Sequence, residues 1–264
     1  MLRGAISSPH NSRVAAARKL RLRKERRAAG AFLVEGARGC GEALASGWHV
    51  RELFVTRDHE ALAEFARSSG VRVTVIDGRA AQALADTQHP QGAFAVVDIP
   101  VRDLASTLPA APRLVVVLAG VADPGNAGTV IRTAAAAGAD TVIVTSGGVD
   151  PYSGKCARAA AGALFHVPVV TDVDLPTACG TLRAAGMRVL ATSLDGDNLF
   201  DVEATLAEPT TWLFGGEAHG LAASAFEAAD MRVRVPMAAD VESLNLAAAA
   251  AICLYASARA QRTK

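Results

Sequence analysis

The chain has only four cysteines, Cys40, Cys156, Cys179 and Cys253, and no CxxC pair among them. That scatter excludes a zinc ribbon and a disulfide framework, so they read as free thiols and no metal is expected. Long apolar runs are also missing. None reaches the length of a membrane span, so no membrane partner is expected. Residues 1–12 have no apolar core of signal-peptide type, and the expected location is the cytoplasm. A strong charge of either sign is lacking: the net value is +1, so no global basic field announces a nucleic acid. No GxGxxG follows any apolar strand, which counts against a nicotinamide dehydrogenase.

What remains is a globular composition, 51% hydrophobic and 20% charged over 264 residues. This is enough for one large domain or two modest ones. Charge is unevenly placed. Arg13, Arg18, Lys19, Arg21, Arg23, Lys24, Arg26 and Arg27 are opposed by Glu25 alone. With Val14, Ala17, Leu20 and Ala28 between them, they read as one helix with a basic face. Such a face binds phosphates by releasing counterions, with Arg18, Arg21, Arg23 and Lys24 as the RNA- or DNA-binding candidates; a merely solvated helix is the alternative.

The chain then alternates. Strands are expected at Phe32–Val34, Val50–Val55, Val71–Ile76 and Ala93–Val97, and helices at Ala37–Ala45, His59–Arg67 and Arg79–Ala85. This order argues for a small three-layer α/β domain over 1–98. Pro100, Pro109 and Pro112 mark 99–112 as a linker. The second domain, 113–264, restarts with the buried run Leu114–Ala119, as parallel sheets do. A turn and cap cluster, Asp123-Pro124-Gly125-Asn126, precedes a small-residue helix over Ala127–Ala137. Further strands at Thr141–Thr145, Val167–Val170 and Arg188–Ala191, and helices near Lys155–Ala161 and Thr177–Ala185, complete a doubly wound sheet.

The carboxyl-terminal forty residues organise the rest. Trp212–Phe214 is a strand running into a Gly-rich turn with Glu217. Arg232–Val235 is a strand stopped by Pro236, and Glu242-Ser243 begins an apolar helix reaching Tyr255. Two strand ends and a helix start suit a backbone-lined small-molecule pocket. On spacing alone, ordinary turns of an α/β sheet read equally well.

Three of these stretches resemble the signature motifs of the SpoU (TrmH) branch of the SPOUT RNA methyltransferases. They are Asn126-x-Gly128-x-x-x-Arg132-Thr133-Ala134, Phe214-Gly215-Gly216-Glu217-x-x-Gly220-Leu221, and Val235-Pro236-Met237 followed by Ser243-Leu244-Asn245. They stand in the family's order and cover about 114–262. The front half, with His10-Asn11-Ser12 and Phe32-Leu33-Val34-Glu35-Gly36, is similar to the ribosomal-protein-like α/β/α substrate-binding domain often fused before it. Ala247 and Ala160 stand where relatives often carry serine, a departure expected to touch packing or local RNA contacts.

The resemblance implies an α/β fold with a parallel sheet and a deep trefoil knot, a rare topology. It implies an obligate homodimer, for which the Ala-rich Leu246–Ala256 helix offers an apolar face. It also implies methyl transfer from S-adenosyl-L-methionine to a ribose 2′-hydroxyl. Large-subunit ribosomal RNA is the favoured substrate, with an antibiotic-resistance role open, and transfer RNA is the second. The implied cofactor contacts are Thr192, Gly216, Val235 and Leu244, and the implied catalytic residues are Arg132, Asn126, Glu217, Ser243 and Asn245.

A guanidinium stays protonated, so Arg132 is expected to bind phosphate and stabilise charge on the 2′-oxygen rather than act as base. Asn126 caps its helix, with or without orienting Arg132 or the ribose. Glu217 fixes the arginine or a loop amide, or is a solvated turn acid. Ser243 and Asn245 bond substrate or backbone, or simply cap. His219 is left out of the site. A catalytically silent RNA-binding scaffold and a nucleotide-binding enzyme of another kind stay as rival classes.

Overall fold

The computed structural model describes residues 5–217, 220–238 and 241–262. In chain order the elements begin α1 (Ser12–Lys19), α2 (Arg23–Ala29), β1 (Ala31–Glu35), α3 (Ala37–Ala45), β2 (Val50–Val55), α4 (Glu60–Ser68), β3 (Arg72–Val75), α5 (Gly78–Leu84) and β4 (Ala93–Asp98). There follow α6 (Leu104–Thr107), β5 (Leu114–Ala119), α7 (Pro124–Ala137), β6 (Thr141–Thr145), α8 (Gly154–Ala160), β7 (Val169–Val173) and α9 (Leu175–Ala184). The last are β8 (Arg188–Asn198), α10 (Glu203–Leu206), β9 (Thr210–Gly215), α11 (Ala223–Glu227), β10 (Met231–Arg234) and α12 (Leu246–Arg262). They cluster into two compact units, 1–101 with 152–166, and 102–151 with 167–264. Residues 152–166, which the sequence groups with the second domain, thus cluster with the first unit. Leu104, inside the sequence-expected linker, is buried in a core cluster of the second.

The first unit holds a four-stranded sheet in the order β1-β4-β2-β3. β4 runs antiparallel to both its neighbours, and β2 pairs parallel with β3. Val14, Ala17, Leu20, Leu33, Phe54, Ile76 and Phe94 share one core cluster. The basic run is two helices, not the single one expected. Arg26, only 4% exposed, turns inward and donates to the carbonyls of Leu20 and Arg21, both at 2.8 Å. These are carbonyls that a continuous helix would have used in its own ladder. Arg18, Arg21, Arg23 and Lys24 remain exposed. Segment 152–166 is held by Arg158, which donates to Glu35 and to Asp86, each at 3.0 Å. Phe165 lies edge-on to Trp48 and stacked near Phe32.

The second unit is built on six parallel strands in the order β10-β8-β9-β5-β6-β7. Their unbroken apolar character follows from cover on both faces. Val115, Val117, Ile143 and Leu213 share a core with Ala178, Cys179 and Leu182 of α9. From the other side of β9, Trp212 donates its indole N–H to Ser257 of α12 at 2.9 Å, and both side chains are fully buried. α12 also packs on α7. β8 runs seven residues beyond the strand expected at Arg188–Ala191, because its polar end pairs with the edge strand β10. β5 leads to β6 and β7 on one side, while β9 and β8 lie on the other. The strand order therefore reverses at β5, and ligand sites of open α/β sheets form at the carboxyl ends beside such a reversal.

Candidate active site

Three loops meet at the carboxyl ends of β8, β9 and β10. β9 ends at Gly215, where a Cβ would fall 2.2 Å from the Gly220 carbonyl carbon. Only glycine lets the returning chain cross so closely. The backbone of Gly216 and Gly220 forms an antiparallel bridge there. Between this turn, the end of β8 and the approach to α12 lies a cleft of about 730 Å³. Its lining includes Thr192, Gly216, Val235, Leu244, Ser243, Asn245 and Glu217. The four residues expected to hold the cofactor therefore share one cavity with three of the expected catalytic side chains. Thr192 also donates to the Leu213 carbonyl at 3.0 Å, tying β8 to β9.

The polar edge of the cleft is a connected amide-carboxylate cluster. Asn126 donates from Nδ2 to Glu217 Oε1 at 2.8 Å, and its Oδ1 accepts from Asn245 Nδ2 at 3.1 Å. Asn245 Oδ1 in turn accepts from the N–H groups of Ala247 and Ala248, at 2.9 and 3.3 Å. Asn245 is thus the cap of α12, which starts at Leu246 and not at Glu242.

Asn126 is not a cap. Asp123 caps α7, accepting from Asn126 N at 2.8 Å, with Pro124 in the first turn. This frees the Asn126 side chain to reach Glu217 and Asn245. Glu217 also lines a second cleft of about 700 Å³ with Gly120, Asp123, Pro124 and Thr145, so the Gly216–Gly220 turn walls both.

Arg132 is not brought into this cluster. It lies six residues after Asn126 on α7, about 120° around the helix from it, is exposed, and lines neither cleft. Among the described residues it has no ion-pair partner. His219 lies outside the described residues, as does Ala218.

Asp195 and Phe226, which no motif marks, also line the first cleft, as does Met237 of the third motif. For Asp195 the only available signal was the polar Ser193-Leu194-Asp195-Gly196 stretch, which resembles any loop. Among the described residues no group of three potential metal ligands is present, and no helix is long and apolar enough to cross a membrane.

Comparison with known proteins accords with this geometry. Residues 113–255, more than half of the chain, match the SpoU rRNA Methylase family, and residues 11–95 match the MRM3-like substrate binding domain. The chain is 36% identical over 250 residues to the Bacillus subtilis protein named 23S rRNA (guanosine(2553)-2′-O)-methyltransferase RlmP, covering 95% of this chain and 97% of that one. Two solved structures superpose closely. The SpoU methyltransferase AviRb from Streptomyces viridochromogenes in complex with AdoMet gives a TM-score of 0.86 at 32% identity, covering 96% of this chain and 100% of that one. An AdoMet-bound rRNA methyltransferase from Sinorhizobium meliloti gives 0.87 at 30% identity, covering 97% of each chain. With the second and third motif stretches lining one cleft and Asn126 of the first bonded to both at its edge, this chain belongs to the SpoU rRNA methylase family.

Proposed function

We propose that this protein methylates a ribose 2′-hydroxyl of large-subunit ribosomal RNA, using S-adenosyl-L-methionine. The observation that carries the reading is the cleft at the ends of β8, β9 and β10, edged by the Asn126–Glu217–Asn245 cluster. Its walls suit an adenosyl group. Glycine backbone permits close approach, Val233, Val235, Met237 and Leu244 offer apolar cover, and Thr192, Ser193 and Ser243 supply hydroxyls. The cofactor, when bound, supplies an activated methyl group.

The chain's own work is then alignment and charge control. Asn126, itself bonded by Asn245, holds Glu217 at the mouth of the cleft, where a carboxylate can orient a donor on the substrate or on a neighbouring arginine. Ser243 lines the same cleft as a further hydrogen-bonding group. Arg132, exposed and without an ion-pair partner among the described residues, is available to bind an RNA phosphate and to stabilise negative charge developing on the 2′-oxygen.

Because Arg132 lines neither cleft of its own chain, the reading includes a homodimer in which a second copy completes the site. The exposed Ile252 and Tyr255 of α12 are the apolar surface that supports it. The knotted path expected of the family belongs to the same reading. Arg18, Arg21, Arg23 and Lys24 in the front unit would grip the RNA, and the cytoplasm is the matching location. Ribosomal RNA is preferred to transfer RNA because the Bacillus subtilis and Sinorhizobium meliloti relatives above are named for it.

Transfer of labelled methyl to separated ribosomal and transfer RNAs tests this, with wild type beside Arg132→Ala. Label confined to large-subunit RNA, resistant to alkaline cleavage at one nucleotide and lost in the variant, is the expected result. Label in transfer RNA would overturn the substrate, and binding of cofactor without transfer to any RNA or ribosomal subunit would overturn the activity.

A further inference from the structure

We propose that Asp195 is the group that holds the ribose diol of the adenosyl cofactor, accepting hydrogen bonds from its 2′- and 3′-hydroxyls. The inference rests on the reading of the β8–β9–β10 cleft as the adenosyl site. Of the described residues lining that cleft, Asp195 and Glu217 are the two acids. Glu217 is engaged by Asn126 at the catalytic edge. Asp195 stands on a different element, the extension of β8, and the chemistry given above leaves it without a role.

Its position is fixed by backbone. The register between β8 and β10 shifts between Arg232 and Val233, after which Val233 pairs with Asp197. At the shift Gly196 lies so close to β10 that a Cβ would fall 2.5 Å from the Arg232 carbonyl carbon. Asp195 is therefore carried by a strand, not by a free loop. Its side chain is also partly organised. Ser193 Oγ donates to Oδ1, and Arg232 Nη1 stands 3.6 Å from Oδ2. Arg232 is itself held over the Phe226 ring, 4.6 Å from the centroid, and Phe226 lines the same cleft.

A carboxylate offers about four acceptor directions. The Ser193 hydroxyl occupies one, and Arg232 lies beyond hydrogen-bonding distance. Both oxygens of this lining residue thus keep acceptor capacity. The Ser193 hydrogen bond also holds the carboxyl below its ordinary range, so at neutral pH it only accepts.

A vicinal diol presents two neutral donors to such a group, as ribose does to the acid of many dinucleotide sites. The cofactor's α-ammonium is a poorer match, because it would bring a second cation beside Arg232. Phe226, Val233 and Val235, close by on α11, β10 and the loop after it, line the cleft as apolar cover for the base.

Calorimetry on the full chain tests the assignment with three probes: S-adenosylhomocysteine, 5′-methylthioadenosine and 2′,3′-dideoxy-5′-methylthioadenosine. Wild type is expected to prefer the diol-bearing methylthioadenosine to its dideoxy form by about tenfold or more, the size of a hydrogen bond to a charged group. Asp195→Ala should remove that preference by weakening only the diol-bearing ligands. Asp195→Asn should keep part of it, and Arg232→Gln should leave it intact.

Equal weakening of all three ligands in Asp195→Ala would assign Asp195 to strand positioning and overturn the proposal. Weakening of S-adenosylhomocysteine alone would make it an ammonium site and also overturn it. Failure of S-adenosylhomocysteine to bind wild type would overturn the reading of the cleft itself.

Discussion

Asn126 and Glu217 stand 91 positions apart in the chain and 2.8 Å apart at Nδ2 and Oε1. Asn126 is the only bridge in the cluster to both other members, since Asn245 reaches Glu217 through it. Asn126→Ala removes two hydrogen bonds between partly exposed groups, a loss of about 1 kcal/mol each at most. Melting temperature should fall by only a few degrees. Single-turnover methyl transfer should fall at least tenfold, because Glu217 is then free to turn away. Asn126→Asp should be worse, since it sets a like charge against Glu217. Equal loss of transfer and of folded protein would instead make the cluster purely structural.

The sequence shows this site only in part, and the reasons are local. Pro124 and Gly138 bracket α7 legibly, yet Asp123 and Asn126 are both good caps. Which one caps is decided by Pro124 in the first turn, leaving Asn126 to face outward. β8 fades from view after Ala191 because Ser193–Asn198 is polar, and it is a strand only through pairing with β10. The break between α1 and α2 is hidden because Arg26 looks like its neighbours in composition while its side chain is buried. No rule of spacing joins positions 126, 217 and 245; the folded sheet does.

Arg26 and its exposed neighbours should separate cleanly by experiment. Replacing Arg18, Arg23 and Lys24 together by alanine should lower RNA affinity and reduce the salt slope of log K by about two to three, with melting nearly unchanged. Arg21→Ala should count for less, since Asp86 already pairs with Arg21 at 3.2 Å. Arg26→Ala should instead destabilise the front unit by about 1–3 kcal/mol, because the Leu20 and Arg21 carbonyls lose their donor. Filter binding across a salt series beside thermal melts would show both, and a full salt-slope effect from Arg26→Ala would contradict its buried role.

The Trp212–Ser257 hydrogen bond anchors α12 to the central strand of the site. Both groups are fully buried, so Ser257→Ala leaves an indole N–H without its acceptor, at about 1–3 kcal/mol. Cofactor affinity should fall with it, because α12 begins at the Asn245 cap beside the cleft. Ser257→Thr keeps the acceptor but adds a methyl group to a closed core, so it should recover binding only where the packing yields. Denaturant unfolding and cofactor titration on the same samples check this, and a stable Ser257→Ala protein would refute the anchor.

Cys253, on the same helix, gives the stability a dependence on alkaline pH. Burial pushes its thiol up to about 12, from an ordinary 9.0. Between those values the unfolded chain releases the proton while the folded chain keeps it. The folded state therefore binds more protons, and stability falls as pH rises through that window. Below pH 9 the contribution is complete. Cys253→Ala lacks this thiol, so it should start less stable at pH 8, from the small cavity, and lose less on going to pH 11. The gap in melting temperature between the two proteins should narrow accordingly. The same burial predicts that native Cys253 resists alkylation at pH 8 while the unfolded chain reacts. A gap that stays constant from pH 8 to 11, with rapid native labelling, would show that the thiol is open to solvent.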